Sequence, residues 1–222
     1  MAKKIYIDAG HGGDSIGAVY KGRKEQDDTL RLALAVGKLV AAQGIEVKYS
    51  RTTDVNPDLT GRCKEANVWG ADYFISLHRN SAGGYGVEAW IYSKCAVGGT
   101  TYNKAKTIVD DVCAATGFRN RGVRLGTPKG GDFAVNWVTE MNSCLLECGF
   151  IDTPEDNKIF DEKFDALALA IAKGLCAAVG VEYKTPEKRY EVIVYGATET
   201  TMPMAVEALK KAGFTAQVKE IK

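Results

Sequence analysis

Between residue 5 and about residue 180, short apolar runs alternate with longer segments of helical period, and this limits the available folds more than any other feature. Strand and helix in alternation build an α/β sheet with helices on its faces. Ile5 to Ile7 reads as a first strand. Residues 27–43 carry Leu30, Ala33, Leu34 and Gly37, widened by Val36, Leu39 and Val40. That spacing predicts a helix opened by Asp27, Asp28 and Thr29 as caps and stopped at Gly44. IEVKYS alternates as a second strand, DYFISLH reads as a buried third, and GVEAWIY is again strand-like.

Further along, Asn103 to about Thr116 predicts a helix with Ile108, Val109, Val112 and Cys113 inward and Gly117 as terminator. SCLLECGF is another apolar strand. Residues 162–179 form a helical stripe of Leu167, Ile171, Leu175 and Ala178, closed by Gly180. Residues 118–142 hold several glycines and no period, so they read as a loop bordering a site. The expected architecture of residues 1–182 is α/β: a twisted, mostly parallel or mixed sheet flanked by helices.

After a polar linker at 183–189 the pattern restarts. YEVIVYG predicts a strand, Met204 to Ala212 a helix with Ala205, Ala208, Leu209 and Ala212 aligned, and FTAQVKEI an alternating strand. This βαβ-like unit at 190–222 is too small to bury a core alone. It must dock, pair with a second copy, or belong to something longer.

With 222 residues, there is room for one substantial domain and this appendage. A formal net charge of +1, with no block of Lys or Arg, gives no electrostatic reason to expect nucleic acid or a membrane surface as partner. MAKKIYID enters a strand directly instead of a long apolar segment, so no signal peptide is expected, and no apolar run approaches a membrane span. Synthesis in the cytoplasm is the resulting expectation. Six cysteines (Cys63, Cys95, Cys113, Cys144, Cys148, Cys176) are irregularly spaced without a C-x-x-C pair, and read as reduced, small apolar residues.

The chain has only two histidines, and both fall where strands end. His11 sits in AGHGG just past the first strand, and His78 closes the third in FISLHRN. Sites in open α/β sheets form beyond the carboxyl ends of strands. Glycines beside His11 let the backbone turn sharply and leave the imidazole uncovered. Glu25 falls just before the predicted first helix. His, Glu and His are a three-ligand zinc set that leaves a fourth position for water; the other reading is two satisfied histidines without a metal. Glu147, in LLECGFID, brings a carboxylate into an apolar setting, which raises its pKa and suits acid–base work, unless an ion pair or a cap accounts for it.

Several ordered blocks resemble one family. They are IDAGHGG with Gly17 and Ala18, Glu25, SRTTD at 50–54, LTGRCKEAN at 59–67, FISLHRN, GVE at 86–88, NRGVR at 120–124, and LLECGFI. Over residues 3 to 179 the chain resembles the zinc-dependent N-acetylmuramoyl-L-alanine amidases of the amidase-3 type. The resemblance implies His11, Glu25 and His78 as zinc ligands and Glu147 as the catalytic carboxylate. It implies peptidoglycan as substrate, cut at the amide between the lactyl group of N-acetylmuramic acid and L-alanine. Asn80 falls at a position where the family commonly has Asn, serving substrate contact or loop support.

Arg79 stands where the family more often has a small residue, a departure expected to alter the rim of the site without touching the metal. Arg51 and Asp54 read as loop-fixing partners, and Glu88 as structural. A phage endolysin released at lysis, or a bacterial autolysin exported to the wall, both fit. Other classes are a non-catalytic wall-binding module on the same scaffold and a zinc peptidase or deacetylase. The C-terminal unit faintly resembles half of a sporulation-related peptidoglycan-binding repeat, which implies wall targeting or self-association into a homodimer.

Overall fold

Side-chain alternation along the strands decides what each face of the sheet carries. In the computed structural model, which describes residues 2–185 and 201–211, the chain forms two units, residues 1–184 and 185–222. The first runs β1 (Lys4–Ala9), the short hairpin β2 (Val19–Tyr20) and β3 (Arg23–Lys24), α1 (Glu25–Ala41), β4 (Glu46–Tyr49), α2 (Leu59–Trp69) and β5 (Tyr73–Asn80). It continues with β6 (Val87–Ile91), α3 (Thr100–Thr116), β7 (Asn120–Leu125), α4 (Ala134–Trp137), β8 (Asn142–Phe150), α5 (Pro154–Glu162) and α6 (Phe164–Ala178).

Six strands form one sheet in the order β4-β1-β5-β8-β6-β7. Pairing is parallel except between β8 and β6, which run antiparallel. The sheet is therefore mixed and mostly parallel, as expected. One face carries Ile5, Ile7, Ile75, Leu77, Cys144 and Leu146, packed against α1, α3 and α6 in the main core. The other carries Tyr6, Phe74, Trp90 and Leu145 in a smaller cluster with Cys63 and Ala66 of α2 and Val135 of α4. Tyr6 and Phe74 stack there with ring centroids 5.4 Å apart. Period two along the strands puts Asp8, Ser76, His78, Glu88 and Glu147 on this second face. Of these, Asp8, Ser76 and Glu88 are buried, and His78 and Glu147 are half-buried.

Several local expectations change. α1 begins at Glu25, two residues early, behind Lys24 with no side-chain cap. Its buried stripe is Thr29, Leu32, Ala33, Val36, Gly37 and Val40, and Leu34 is exposed. Gly37 is required because a Cβ there would meet the Tyr49 hydroxyl at 2.0 Å. The LTGRCKEAN block is a helix, α2, capped by Asp58 accepting from the Gly61 N–H at 2.6 Å. It buries only Arg62, Cys63 and Ala66, too few for a readable stripe. The helix α5 was also not anticipated.

Residues 118–142 are not a plain loop: they hold β7 and α4. Cys63, Cys144, Cys148 and Cys176 are buried thiols, and Cys95 and Cys113 are half-buried.

In the second unit, α7 (Met202–Lys211) is helical near the predicted span. Its less exposed face is Met202, Ala205, Val206 and Leu209, while Ala208 points to solvent. The two strands expected at YEVIVYG and FTAQVKEI, and Ala212, lie outside the described residues. No helix among the described residues is long and apolar enough to cross a membrane.

Candidate metal centre

Three elements bring the site together. Beyond β1, His11 adopts φ 63°, a left-handed backbone that side chains rarely occupy. The reversal is locked by reciprocal Gly12 and Ser15 backbone hydrogen bonds of 2.8 and 2.9 Å. β5 delivers His78 from the neighbouring strand, and α1 delivers Glu25 at its first residue. Ligand atoms of His11, Glu25 and His78 all lie within 4.8 Å of one another. His11 Nε2 is 3.2 Å from Glu25 Oε2, and His78 Nδ1 is 2.9 Å from Glu25 Oε1.

Glu25 is 4% exposed and its carboxylate is further fixed by backbone donors, Ala18 N–H to Oε2 at 2.8 Å and Arg79 N–H to Oε1 at 2.9 Å. On the far side of its ring, His11 Nδ1 lies 3.2 Å from Ser15 Oγ. Glycines make the close packing feasible. A Cβ at Gly10 would meet His78 Nε2 at 2.5 Å, and one at Gly17 (φ +69°) would meet Glu25 Oε2 at 2.6 Å.

The electrostatics favour a cation among these groups. Burial would raise the Glu25 carboxyl, but hydrogen bonds from His11 and His78 hold it well below the usual carboxylate range. Burial would lower the His78 imidazole, yet the bond to Glu25 and its charge lift it to about 9. Two neutral imidazoles and a carboxylate are the donor set of a catalytic zinc site with an open position. The residues fit such an ion.

Glu147 lies beside them. It is opposite His78 in the β5–β8 ladder and opposite Glu88 in the β8–β6 ladder. Its Oε2 atom is shielded from water and has no hydrogen-bond partner among the described residues. Burial pushes its carboxyl up to about 8, with His78 pulling against this and Glu25 and Glu88 adding to it. All four residues open on one groove of about 610 Å³, with Asn56, Leu59, Asn80, Ser81, Phe133 and Val135 on its walls. A metal-holding trio beside a proton-holding carboxylate can hydrolyse an amide.

This geometry meets a family in which it is expected: the N-acetylmuramoyl-L-alanine amidase family (amidase 3) matches residues 5–177. The chain belongs to this family. The amidase is 38% identical over 193 residues to the sporulation-specific N-acetylmuramoyl-L-alanine amidase of Bacillus subtilis strain 168, covering 85% of this chain and 73% of that protein. It is 30% identical over 189 residues to the endolysin of Bacillus phage SPP1, covering 83% and 69%. Its fold is similar to the catalytic domain of CwlV, an N-acetylmuramoyl-L-alanine amidase from Bacillus (Paenibacillus) polymyxa var. colistinus. That likeness has a TM-score of 0.72 and 30% identity over 81% of this chain and 99% of that one. By family the amidase is a peptidoglycan hydrolase.

The remaining residues singled out in the sequence support the groove. Arg51, 3% exposed, donates to the carbonyls of Ala9, Gly10 and Gln26, tying the His11 turn to α1. Asp54 accepts from Gly13 N–H at 2.7 Å. Glu88 accepts from Asn80, Trp90 and Arg121 at 2.9, 3.2 and 2.8 Å. Asn80 thus braces Glu88 while lining the groove.

Arg79 corrects an expectation. It is not on the rim but is 2% exposed and packed behind the site. Strand alternation turns it to the face that carries Ile75 and Leu77, opposite His78, where Asp28 is its buried partner.

The sequence reading missed a buried pair in the groove lining, Asp8 and Arg62, joined at 2.7 Å with Ser76 donating to Asp8 at 2.6 Å. A charged residue one step before the end of an apolar strand was the available signal. Its partner lay 54 residues away, on a helix without a readable stripe.

Proposed function

We propose that the amidase holds one zinc ion through His11, Glu25 and His78, and that Glu147 handles the proton while the amide between N-acetylmuramic acid and L-alanine is hydrolysed. The observation that supports this most is the convergence of both histidines in the chain on one buried carboxylate, next to a second carboxylate that burial keeps basic. Bound zinc would lower the pKa of water toward about 7 and polarise the scissile carbonyl.

Each side chain then has a task. Glu25 carries the negative charge that balances the cation, and its bonds from Ala18 and Arg79 keep it aimed. Ser15 orients the His11 ring. The Glu147 carboxylate accepts the proton of the attacking water and hands it to the departing amine of L-alanine. A base raised toward neutral pH does both, because it binds the proton firmly enough to take it and loosely enough to return it. Leu59, Phe133 and Val135 shield part of the groove from water, which strengthens these charge interactions.

The unit at 190–222 serves wall targeting or self-association in this reading, and the protein reaches the wall by release or export. Digestion of purified peptidoglycan tests the function. The expected products are new L-alanine amino groups with no new reducing sugars. Reducing ends instead, or amines from a different residue, would replace the amidase reading with a glycosidase or peptidase. Chelation should stop the reaction and added zinc should restore it.

A further inference from the structure

Behind Glu25, a buried arginine on β5 joins α1 and α5. The Arg79 backbone N–H donates to Glu25 Oε1 at 2.9 Å. Its side chain turns the other way, away from the site. There Nη1 donates to Asp28 Oδ2 on α1 at 2.5 Å, and Nη2 donates to Asn157 Oδ1 on α5 at 2.6 Å. The guanidinium lies 4.1 Å from the centroid of the Phe160 ring. Asp28 is 7% exposed and sits three residues after Glu25, on the same turn of helix. The same Asp28 oxygen also accepts from Arg23 Nε at 2.7 Å.

We infer that Arg79 is a positioning residue for the metal centre: by pinning Asp28 and Asn157 it fixes the first turn of α1 against the end of β5, so that Glu25 meets both histidines. The inference rests on the metal reading given above. The physical argument is one of restraint. Glu25 sits at the start of a helix with no side-chain cap, and helix ends fray when nothing holds them. Here one arm of the buried Arg79 fork holds that end through Asp28 while the other anchors the fork on α5 through Asn157, and an arginine loses little side-chain freedom per bond formed because its donors are coplanar. One residue thus grips the ligand through its backbone and the ligand's helix through its side chain.

The test compares wild type with Arg79→Met, Arg79→Lys and Asn157→Ala. The measurements are metal-free thermal unfolding, zinc affinity by competition with a chromogenic chelator, the visible spectrum of the cobalt-substituted protein, and kcat and KM on peptidoglycan. Arg79→Met is expected to weaken zinc binding about ten- to a hundredfold, the usual loss when a ligand's support is removed. The cobalt spectrum should change and kcat should fall more than KM rises. Arg79→Lys should recover part of each, and Asn157→Ala, which removes only one arm, should weaken zinc by a few fold.

Wild-type zinc affinity and an unaltered cobalt spectrum in folded Arg79→Met, with only a lower melting temperature, would reduce Arg79 to a stabilising residue and overturn the inference. Should Arg79→Met not fold, Asn157→Ala decides on the same readouts, and unchanged zinc affinity there overturns it. Wild-type protein that takes up no zinc at all would instead remove the metal reading, and the inference with it.

Discussion

Glu147 stands directly opposite His78 in the parallel β5–β8 ladder, on the strand next to it and on the same face of the sheet. Adjacent parallel strands hold registered residues at a spacing set by backbone hydrogen bonds, so the distance between Glu147 and His78 does not depend on loop conformation.

Replacing that carboxylate by its neutral isostere isolates its role. Glu147→Gln should retain zinc at wild-type stoichiometry and lose about 10²- to 10⁴-fold in kcat, the usual worth of a positioned acid–base group. Metal analysis beside amine-release kinetics checks both halves. Near-normal turnover by the zinc-loaded variant would take Glu147 out of the mechanism.

Metal uptake should depend on pH. The His78 imidazole titrates at about 9 in the metal-free protein, and zinc needs it neutral. Affinity should therefore climb by about tenfold per pH unit from 6 to 8 and level off near 9. A competition assay across this range reads the slope, and a flat profile would mean that no proton leaves His78 on binding.

The stability of the metal-free protein should move in the opposite sense. His78 has a folded pKa raised above its ordinary value, so its contribution is complete below about 6.5 and is lost as pH rises through 9. Glu25 has a depressed one, so its contribution is present above the ordinary carboxylate range and is lost in acid. Chelated protein should melt highest between about pH 5 and 6.5 on account of this pair. Thermal midpoints in the presence of chelator at pH 4, 6 and 10 would reveal the ordering.

Gly17 tolerates no side chain. Its φ of +69° and the 2.6 Å approach of a Cβ to Glu25 Oε2 mean that Gly17→Ala strains the backbone by about 1 kcal/mol or more and displaces the ligand. The expected outcome is a folded protein with reduced zinc content, measured by metal analysis and circular dichroism. Full zinc occupancy would show that Glu25 has room to shift.

In the groove lining, Asp8 and Arg62 are 0% and 5% exposed. Asp8→Ala leaves the guanidinium buried without its counter-charge and should cost about 3–5 kcal/mol, seen as a lower urea midpoint. A loss under about 1 kcal/mol would mean that water or the Pro57 carbonyl, which accepts from Arg62 Nη2 at 2.7 Å, compensates the charge.

By itself the sequence determined the alternating α/β order, the buried strands, the helices at α3 and α6, and it singled out the four residues that the fold gathers at one groove. Those signals are local: periodicity reports burial, and glycines around His11 report a turn. Where helices bury few residues, as in α2, periodicity carried no signal, and the capping aspartate was the only mark.

Only the tertiary structure decided which partners the buried charged residues meet. Arg79 turned inward to Asp28 and Asn157, Arg62 inward to Asp8, and Glu88 into a cage of Asn80, Trp90 and Arg121. A charge enters the interior only where partners from other elements meet it, and partners 51 or 54 residues away leave no trace in the pattern around the residue. The candidate trio has the same origin: residues 11, 25 and 78 become one cluster because parallel pairing of β1 with β5 and the seat of α1 bring them within bonding reach.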